Sequence, residues 1–169
     1  MLPIIWQSCS KTIEPPDYSN FIHVQKKGSF EIYLPPTLYP DKSISEIAQM
    51  AYTDSLHHSF LMVLRDVTPD LEEDSIFITH QRSHVYACAG IESAMLNADK
   101  DDTDSVMTGG NLVYTTPIEG EFGGHEVHYR VSTIETEYYF YQILTWHLAD
   151  NDAMEKQLYD AMLSFRPFR

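Results

Sequence analysis

The chain is short of positive charge, with 11 Lys and Arg residues against 25 Asp and Glu residues and a formal net charge of −14. Nucleic-acid binders need clustered Lys and Arg to contact phosphates, and anionic membrane surfaces attract basic segments. The composition therefore excludes a nucleic-acid partner and disfavours direct binding to an anionic membrane. It is compatible with a basic protein partner, whose encounter opposite charge accelerates, although the same charge also favours solubility.

Cysteine, long apolar runs and catalytic signatures are also scarce. Cys9 and Cys88 are too few for a disulfide framework, and no run approaches the roughly 20 apolar residues of a transmembrane helix. No Gly-x-Ser-x-Gly motif positions a nucleophilic serine, and no glycine-rich segment opens a predicted helix as a phosphate-binding loop does. We therefore expect no cofactor, no catalytic residues and no enzymatic activity.

A folded domain is nevertheless predicted by the apolar content. Hydrophobic residues make up 43% of the 169 residues and aromatic residues 12%, more than disordered chains carry. A chain of this length is typical of one domain with its own core. We predict an N-terminal tail or tether over residues 1–19 and a single α+β domain over residues 20–169.

The predicted tail contains a candidate lipidation site at Cys9. A short apolar run ends in a small residue and this cysteine, and a polar segment with two prolines follows it. That order resembles the end of a bacterial lipoprotein signal, although Trp6 and Gln7 are atypical and no basic region precedes them. The alternatives are a lipid-anchored protein of the cell envelope and an ordinary tail with an unmodified cysteine.

Hydrophobic periodicity predicts the order of strands and helices. Residues 58–67 are apolar on both faces, which is typical of a central strand, whereas residues 43–53 have mixed periodicity and stay unassigned. Spacings of three and four along residues 71–96 predict a helix, and residues 97–110, with their acidic run, predict a loop. The other predicted elements are a β-hairpin over residues 21–34, strands over residues 111–116, 125–134 and 137–148, and a last helix that Asp150 or Asn151 caps and Pro167 stops.

The predicted helix over residues 71–96 carries a candidate metal site. His80 and His84 are four residues apart, so both can face one ion, and Cys88 follows at the same interval. All three cannot share an ion, because His80 and Cys88 are separated by roughly 12 Å along a straight helix. Packing of these side chains against the core is the alternative.

Two further patterns resemble metal sites without completing one. The acidic run over residues 99–104 resembles the start of a calcium loop but lacks its glycine and its bidentate glutamate. His125 and His128 are three residues apart in a predicted strand, which places them on opposite faces and excludes a helical metalloprotease motif.

The C-terminal third contains the segments GGHEVHY at residues 123–129, ETEYYFYQILTW at 135–146 and MLSFR at 162–166, and the front half contains FEIYLP at 30–35 and the predicted strand over residues 59–66. The first three segments resemble the PsbP-like domain, and most closely small bacterial envelope proteins of that superfamily, while the other two agree with it in outline. The resemblance implies an antiparallel β-sheet packed against helices, and it implies accessory or binding roles, including effector chaperones, with no catalytic motif to transfer. Residues 70–110 do not match.

Taken together, the sequence predicts a non-enzymatic binding or accessory domain associated with the bacterial envelope, in the periplasm or lipid-anchored, with a protein partner. A cytosolic chaperone or an immunity-type inhibitor that binds a secreted effector or toxin is the first alternative. A metal-dependent hydrolase that uses His80 and His84 is the second.

Overall fold

A computed structural model describes residues 16–68 and 79–168. Two helices and eleven strands follow one another within this part of the chain. The helices are α1 (His80–Ala94) and α2 (Asp152–Leu163), and the strands are β1 (Ile22–Lys26), β2 (Phe30–Leu34), β3 (Tyr39–Pro40), β4 (Met50–Asp54), β5 (Ser59–Val67), β6 (Leu96–Lys100), β7 (Asp104–Thr108), β8 (Asn111–Phe122), β9 (His125–Glu135), β10 (Tyr139–Leu148) and β11 (Arg166–Pro167).

A large antiparallel sheet forms the centre of the molecule. Its strand order is β3-β4-β5-β10-β9-β8-β6, and β7 pairs with the remaining length of β8. A small antiparallel sheet has the order β1-β2-β11. The predicted α+β class is confirmed, and so is the interior position of residues 59–67, because β5 lies between β4 and β10.

The two faces of the large sheet carry two separate cores, because successive side chains of a strand point to opposite sides. On one face, Tyr141 and Ile143 of β10 pack with the small sheet and with α2, whose Leu158 and Met162 are buried. On the other face, Leu144 of β10 belongs to a smaller cluster beneath α1. The sheet is therefore sandwiched between unlike layers.

The elements of the C-terminal half agree with the sequence in type and differ at their ends. The side chain of Asn151 accepts a hydrogen bond from the N–H of Met154 and so caps α2, as predicted. The helix ends at Leu163, before Pro167. The hydroxyl of the next residue, Ser164, accepts a hydrogen bond from the N–H of Tyr33 in β2 and donates one to the Tyr33 carbonyl oxygen. The α2 helix is thereby tied to the small sheet.

The predicted loop over residues 97–110 is wrong, because most of it forms β6 and β7. Both strands pair with one edge of the long strand β8; β6 is exposed throughout, whereas β7 buries Val106 and Thr108. Exposed edge strands need few apolar residues, so the polar sequence of these strands does not indicate β-structure. The turn between β7 and β8 is made by Gly109 and Gly110, whose φ angles of 57° and 80° suit a two-residue hairpin. The helix predicted over residues 71–96 is α1, with Thr79 as its N-cap; residues 71–78 lie outside the described part.

Candidate functional site

The α1 helix covers only part of its face of the large sheet. It packs on β9, β8 and β6, which leaves the neighbouring strands β10 and β5 partly open on the same face. Half-buried apolar side chains of β5 therefore point toward solvent beside the helix, among them Met62 and Leu64.

A groove of about 360 Å³ runs between α1 and these strands. Its floor is apolar and includes Leu64, Phe140 and Leu144, and its wall on the helix side includes Ala87 and Ile91. The groove is also lined by a few polar side chains, among them Gln142 and Asp66. The Nε2 atom of Gln142 donates a hydrogen bond to Asp66 Oδ2 at 3.4 Å. Open apolar clefts of this kind mark binding sites for apolar groups of a ligand or partner.

An aromatic row crosses three strands on the same face of the sheet. The rings of Phe60 and Trp146 are stacked with centroids 3.8 Å apart, and Tyr129 stacks on Trp146 at 5.4 Å. Phe122 adds an edge contact and remains 46% exposed. Large rigid aromatic side chains are enriched at binding surfaces because they bury much area at small entropic cost.

Acidic side chains line the β6–β8 edge of the large sheet. A cleft of about 380 Å³ at the β6–β8 edge is lined by acidic side chains that include Asp99, Glu119 and Glu126. Glu121, which also lines that cleft, directly precedes the exposed Phe122 of the aromatic row. Negative charge therefore lies at the sheet edge next to Phe122, and long-range attraction of this kind favours a partner with basic residues.

The histidines predicted as metal ligands lie beneath α1 with hydrogen-bond partners. His80 Nε2 is 3.1 Å from the Thr133 carbonyl oxygen and 3.2 Å from its hydroxyl. His84 is buried, with Nδ1 2.9 Å from the Thr133 hydroxyl and Nε2 2.8 Å from the Thr116 hydroxyl. Cys88 Sγ lies 3.5 Å from His84 Nε2. The three side chains therefore form a polar layer that joins the helix to β8 and β9.

Burial dominates the protonation of this layer. Removal from water lowers the pKa of His84 from 6.5 to about 4, with smaller electrostatic contributions from nearby His80 and Lys100. Burial also lowers the pKa of His80 and raises the pKa of the Cys88 thiol. Both histidines are consequently neutral at pH 7, and Cys88 is a protonated thiol.

The predicted lipidation site, Cys9, lies outside the described residues. Within residues 16–68 and 79–168, no helix combines the length and the apolar composition that a membrane span requires.

Comparison with solved structures assigns the fold. A cyanobacterial PsbP from Synechocystis superposes with a TM-score of 0.66 over 94% of this chain and 98% of its own, at 13% sequence identity. The fold is PsbP-like. LpqN, a Mycobacterium tuberculosis protein involved in cell envelope biogenesis, matches at a TM-score of 0.60 over 88% of this chain and 90% of its own, at 12% identity.

A third match has the same fold. A Pseudomonas aeruginosa protein of unknown function matches at a TM-score of 0.51 over 89% of this chain and 99% of its own, at 14% identity. No protein-family profile and no curated protein matches the chain. The resemblance inferred from the sequence is thus confirmed at the level of the fold.

Sequence reasoning missed the groove and the aromatic row. Alternation within β10 does place Trp146 and Leu144 on one face. The sequence does not reveal that Phe60 of β5 and Tyr129 of β9 flank Trp146, since the strand order and register bring them together. Nor does it reveal that α1 docks to one side and leaves these strands open.

Proposed function

We propose that this protein is a non-enzymatic accessory domain that binds a protein partner in the groove beside α1. The partner contributes an apolar segment flanked by basic residues. The observation that carries the proposal is the partly uncovered face of the large sheet, where the apolar floor of the groove lies on the same face as the aromatic row.

The charge of the chain supports the choice of a basic partner. The net charge of −14 leaves 25 acidic side chains to complement Lys and Arg, and Asp66 lies in the groove itself. Charge of this kind mainly raises the rate of association and its salt dependence, while the apolar contacts supply most of the affinity.

We further propose that the domain works in the cell envelope, with Cys9 as its lipid attachment point. The order of residues around Cys9 supports this location, and so does the likeness in fold to LpqN, which is involved in cell envelope biogenesis. Acylation is tested by the intact mass of the native gene product: a diacyl-type increase supports the anchor, and an unmodified soluble chain contradicts it.

The groove is tested with two synthetic peptides that share a helical leucine-alanine core. One peptide has lysine flanks and the other has glutamate flanks, and both are titrated by fluorescence anisotropy. We expect the lysine peptide to bind more tightly, and its affinity to fall as the salt concentration rises.

Two matched variants locate the binding surface. Leu64→Glu places a charge on the groove floor and should weaken binding by at least about tenfold, since a buried unpaired charge costs more than the 1.4 kcal/mol that a factor of ten represents. Leu112→Glu makes the same change on an exposed position of β8 outside the groove and should leave binding unchanged. Equal effects of both substitutions, or equal binding of both peptides, would contradict the proposal.

A further inference from the structure

Two histidines and a glutamate converge on the face of the large sheet that α2 covers. His128 of β9 and His147 of β10 lie directly opposite each other in the strand register, and their ring centroids are 5.4 Å apart. Glu155 extends from the start of α2 above them. One potential ligand atom from each of the three side chains lies within 4.8 Å of the other two.

The buried member of this cluster, His147, has one ring nitrogen that no residue of the described ranges 16–68 and 79–168 hydrogen-bonds. His147 is only 2% exposed, and among the described residues no group hydrogen-bonds its Nε2. Its Nδ1 lies 2.8 Å from the Leu148 carbonyl oxygen. A carbonyl oxygen only accepts hydrogen bonds, so Nδ1 carries the proton and Nε2 presents a lone pair. Histidines that bind metal ions commonly have this arrangement, in which the second nitrogen donates to a backbone carbonyl or a carboxylate.

We propose that His128, His147 and Glu155 bind a divalent transition-metal ion of the zinc class. Two imidazoles and one carboxylate form a donor set that zinc prefers, with the fourth position left to water or another carboxylate. Glu119 supplies a candidate, because its Oε1 lies 3.7 Å from His128 Nε2. This site is independent of the proposed function, since it lies on the opposite face of the sheet from the groove.

The side chains have the freedom to close around an ion. Tetrahedral bonds of about 2.1 Å place ligand atoms roughly 3.4 Å apart, somewhat closer than the present limit of 4.8 Å. The side chains of His128 and Glu155 are 23% and 41% exposed, so both can move and an ion can enter from solvent. His147 is fixed by its neighbours and provides the rigid anchor.

Arg130 lies beside the cluster and positions the glutamate. Its guanidinium donates to Glu155 Oε1 at 2.9 Å and also lies over the ring of Tyr159. Because Oε1 accepts this bond, Oε2 of Glu155 is the oxygen that would bind an ion. Hydrogen bonds from an outer group to a ligating carboxylate are common in metal sites, where they orient the ligand.

The histidines beneath α1 provide an internal comparison. Both ring nitrogens of His84 lie within hydrogen-bond distance of threonine hydroxyls, Thr133 and Thr116, whereas Nε2 of His147 has no hydrogen-bond partner within the described part of the chain. The structure thus favours the α2 side of the sheet over the helical histidines as the place where a metal ion binds.

The experiment titrates the full-length apoprotein with Zn²⁺ in competition with a chromophoric chelator. We expect one tight site per chain, and we expect Co²⁺ in its place to give the intense visible bands of a four-coordinate ion. His128→Ala and Glu155→Gln should each weaken Zn²⁺ binding by at least about tenfold. Even mutation of a group that only hydrogen-bonds a metal ligand typically lowers metal affinity by roughly tenfold or more. Both positions are partly exposed, so the variants should fold, which circular dichroism checks.

The matched control is His125→Ala, which removes an exposed histidine at the start of the same strand. It should leave the affinity for Zn²⁺ unchanged. The proposal is overturned if the wild-type chain has no stoichiometric site, or if His125→Ala weakens binding as much as His128→Ala, since the ion would then bind surface histidines without a defined site.

Discussion

The buried imidazole of His84 should make the stability of this protein depend on pH. The side chain is 1% exposed and lies between the hydroxyls of Thr133 and Thr116. Burial lowers its pKa from 6.5 in an unfolded chain to about 4. A histidine with a lowered folded-state pKa favours the neutral form, so its stabilising effect is complete above pH 6.5 and is lost as the pH falls from 6.5 toward 4.

The size of the effect follows from the two pKa values. The difference between 6.5 and about 4 corresponds to about 3 kcal/mol. Protonation of the unfolded chain between pH 7 and pH 5 accounts for about 2 kcal/mol of this amount, and the remainder is lost closer to pH 4. Such a loss is a large part of the stability of an ordinary domain.

The assay is urea unfolding at pH 7 and pH 5 for the wild type and for His84→Gln. Glutamine can bond the same threonines but does not titrate, so the variant should lose about 2 kcal/mol less than the wild type on acidification. His125→Gln, at an exposed position, should behave as the wild type does. If wild type and His84→Gln show the same dependence on pH, the reasoning about this layer is refuted.

Two further predictions concern the cores on either side of the sheet. Leu158→Ala, at a fully buried position of α2, should lower the free energy of unfolding by about 2–5 kcal/mol, because it removes apolar contacts and leaves a cavity; urea unfolding measures this, and a loss below about 1 kcal/mol would contradict the packing of α2. Cys88 is 2% exposed, and burial raises the pKa of its thiol. A thiol reagent should therefore modify Cys88 far more slowly in the native protein than in the urea-unfolded protein. Peptide mass spectrometry compares the two rates, and equal rates would contradict the burial of Cys88.

Amphipathic strands and helices, which bury one face against the core, can be predicted from the sequence. The alternation in β9 and β10 and the three-and-four spacing in α1 and α2 identify strands and helices, because burial imposes a period on them. Strand β6 lacks that period because it is an exposed edge strand held by backbone bonds to β8, and β7 places a single apolar side chain, Val106, in the core. Their acidic sequence therefore predicts a loop where the structure has strands.

The candidate sites are less predictable than the elements, because they depend on register and docking. The pairing of His128 with His147 and the approach of Glu155 involve three elements that the sequence separates. In contrast, the sequence predicts a metal site at His80 and His84 because these residues lie four positions apart on one helix. Sequence spacing shows contacts within one helix, whereas contacts between strands require the fold.

The central claim is that the groove beside α1 binds a protein, and photo-crosslinking in cells tests it most directly. A photoreactive amino acid replaces Gln142 in the groove or, as control, the exposed Tyr39 of the edge strand β3. We predict a discrete crosslinked protein for position 142 that is missing for position 39 and disappears when Leu64→Glu is added. The same products at both positions, or a groove product that persists with Leu64→Glu, would contradict the claim.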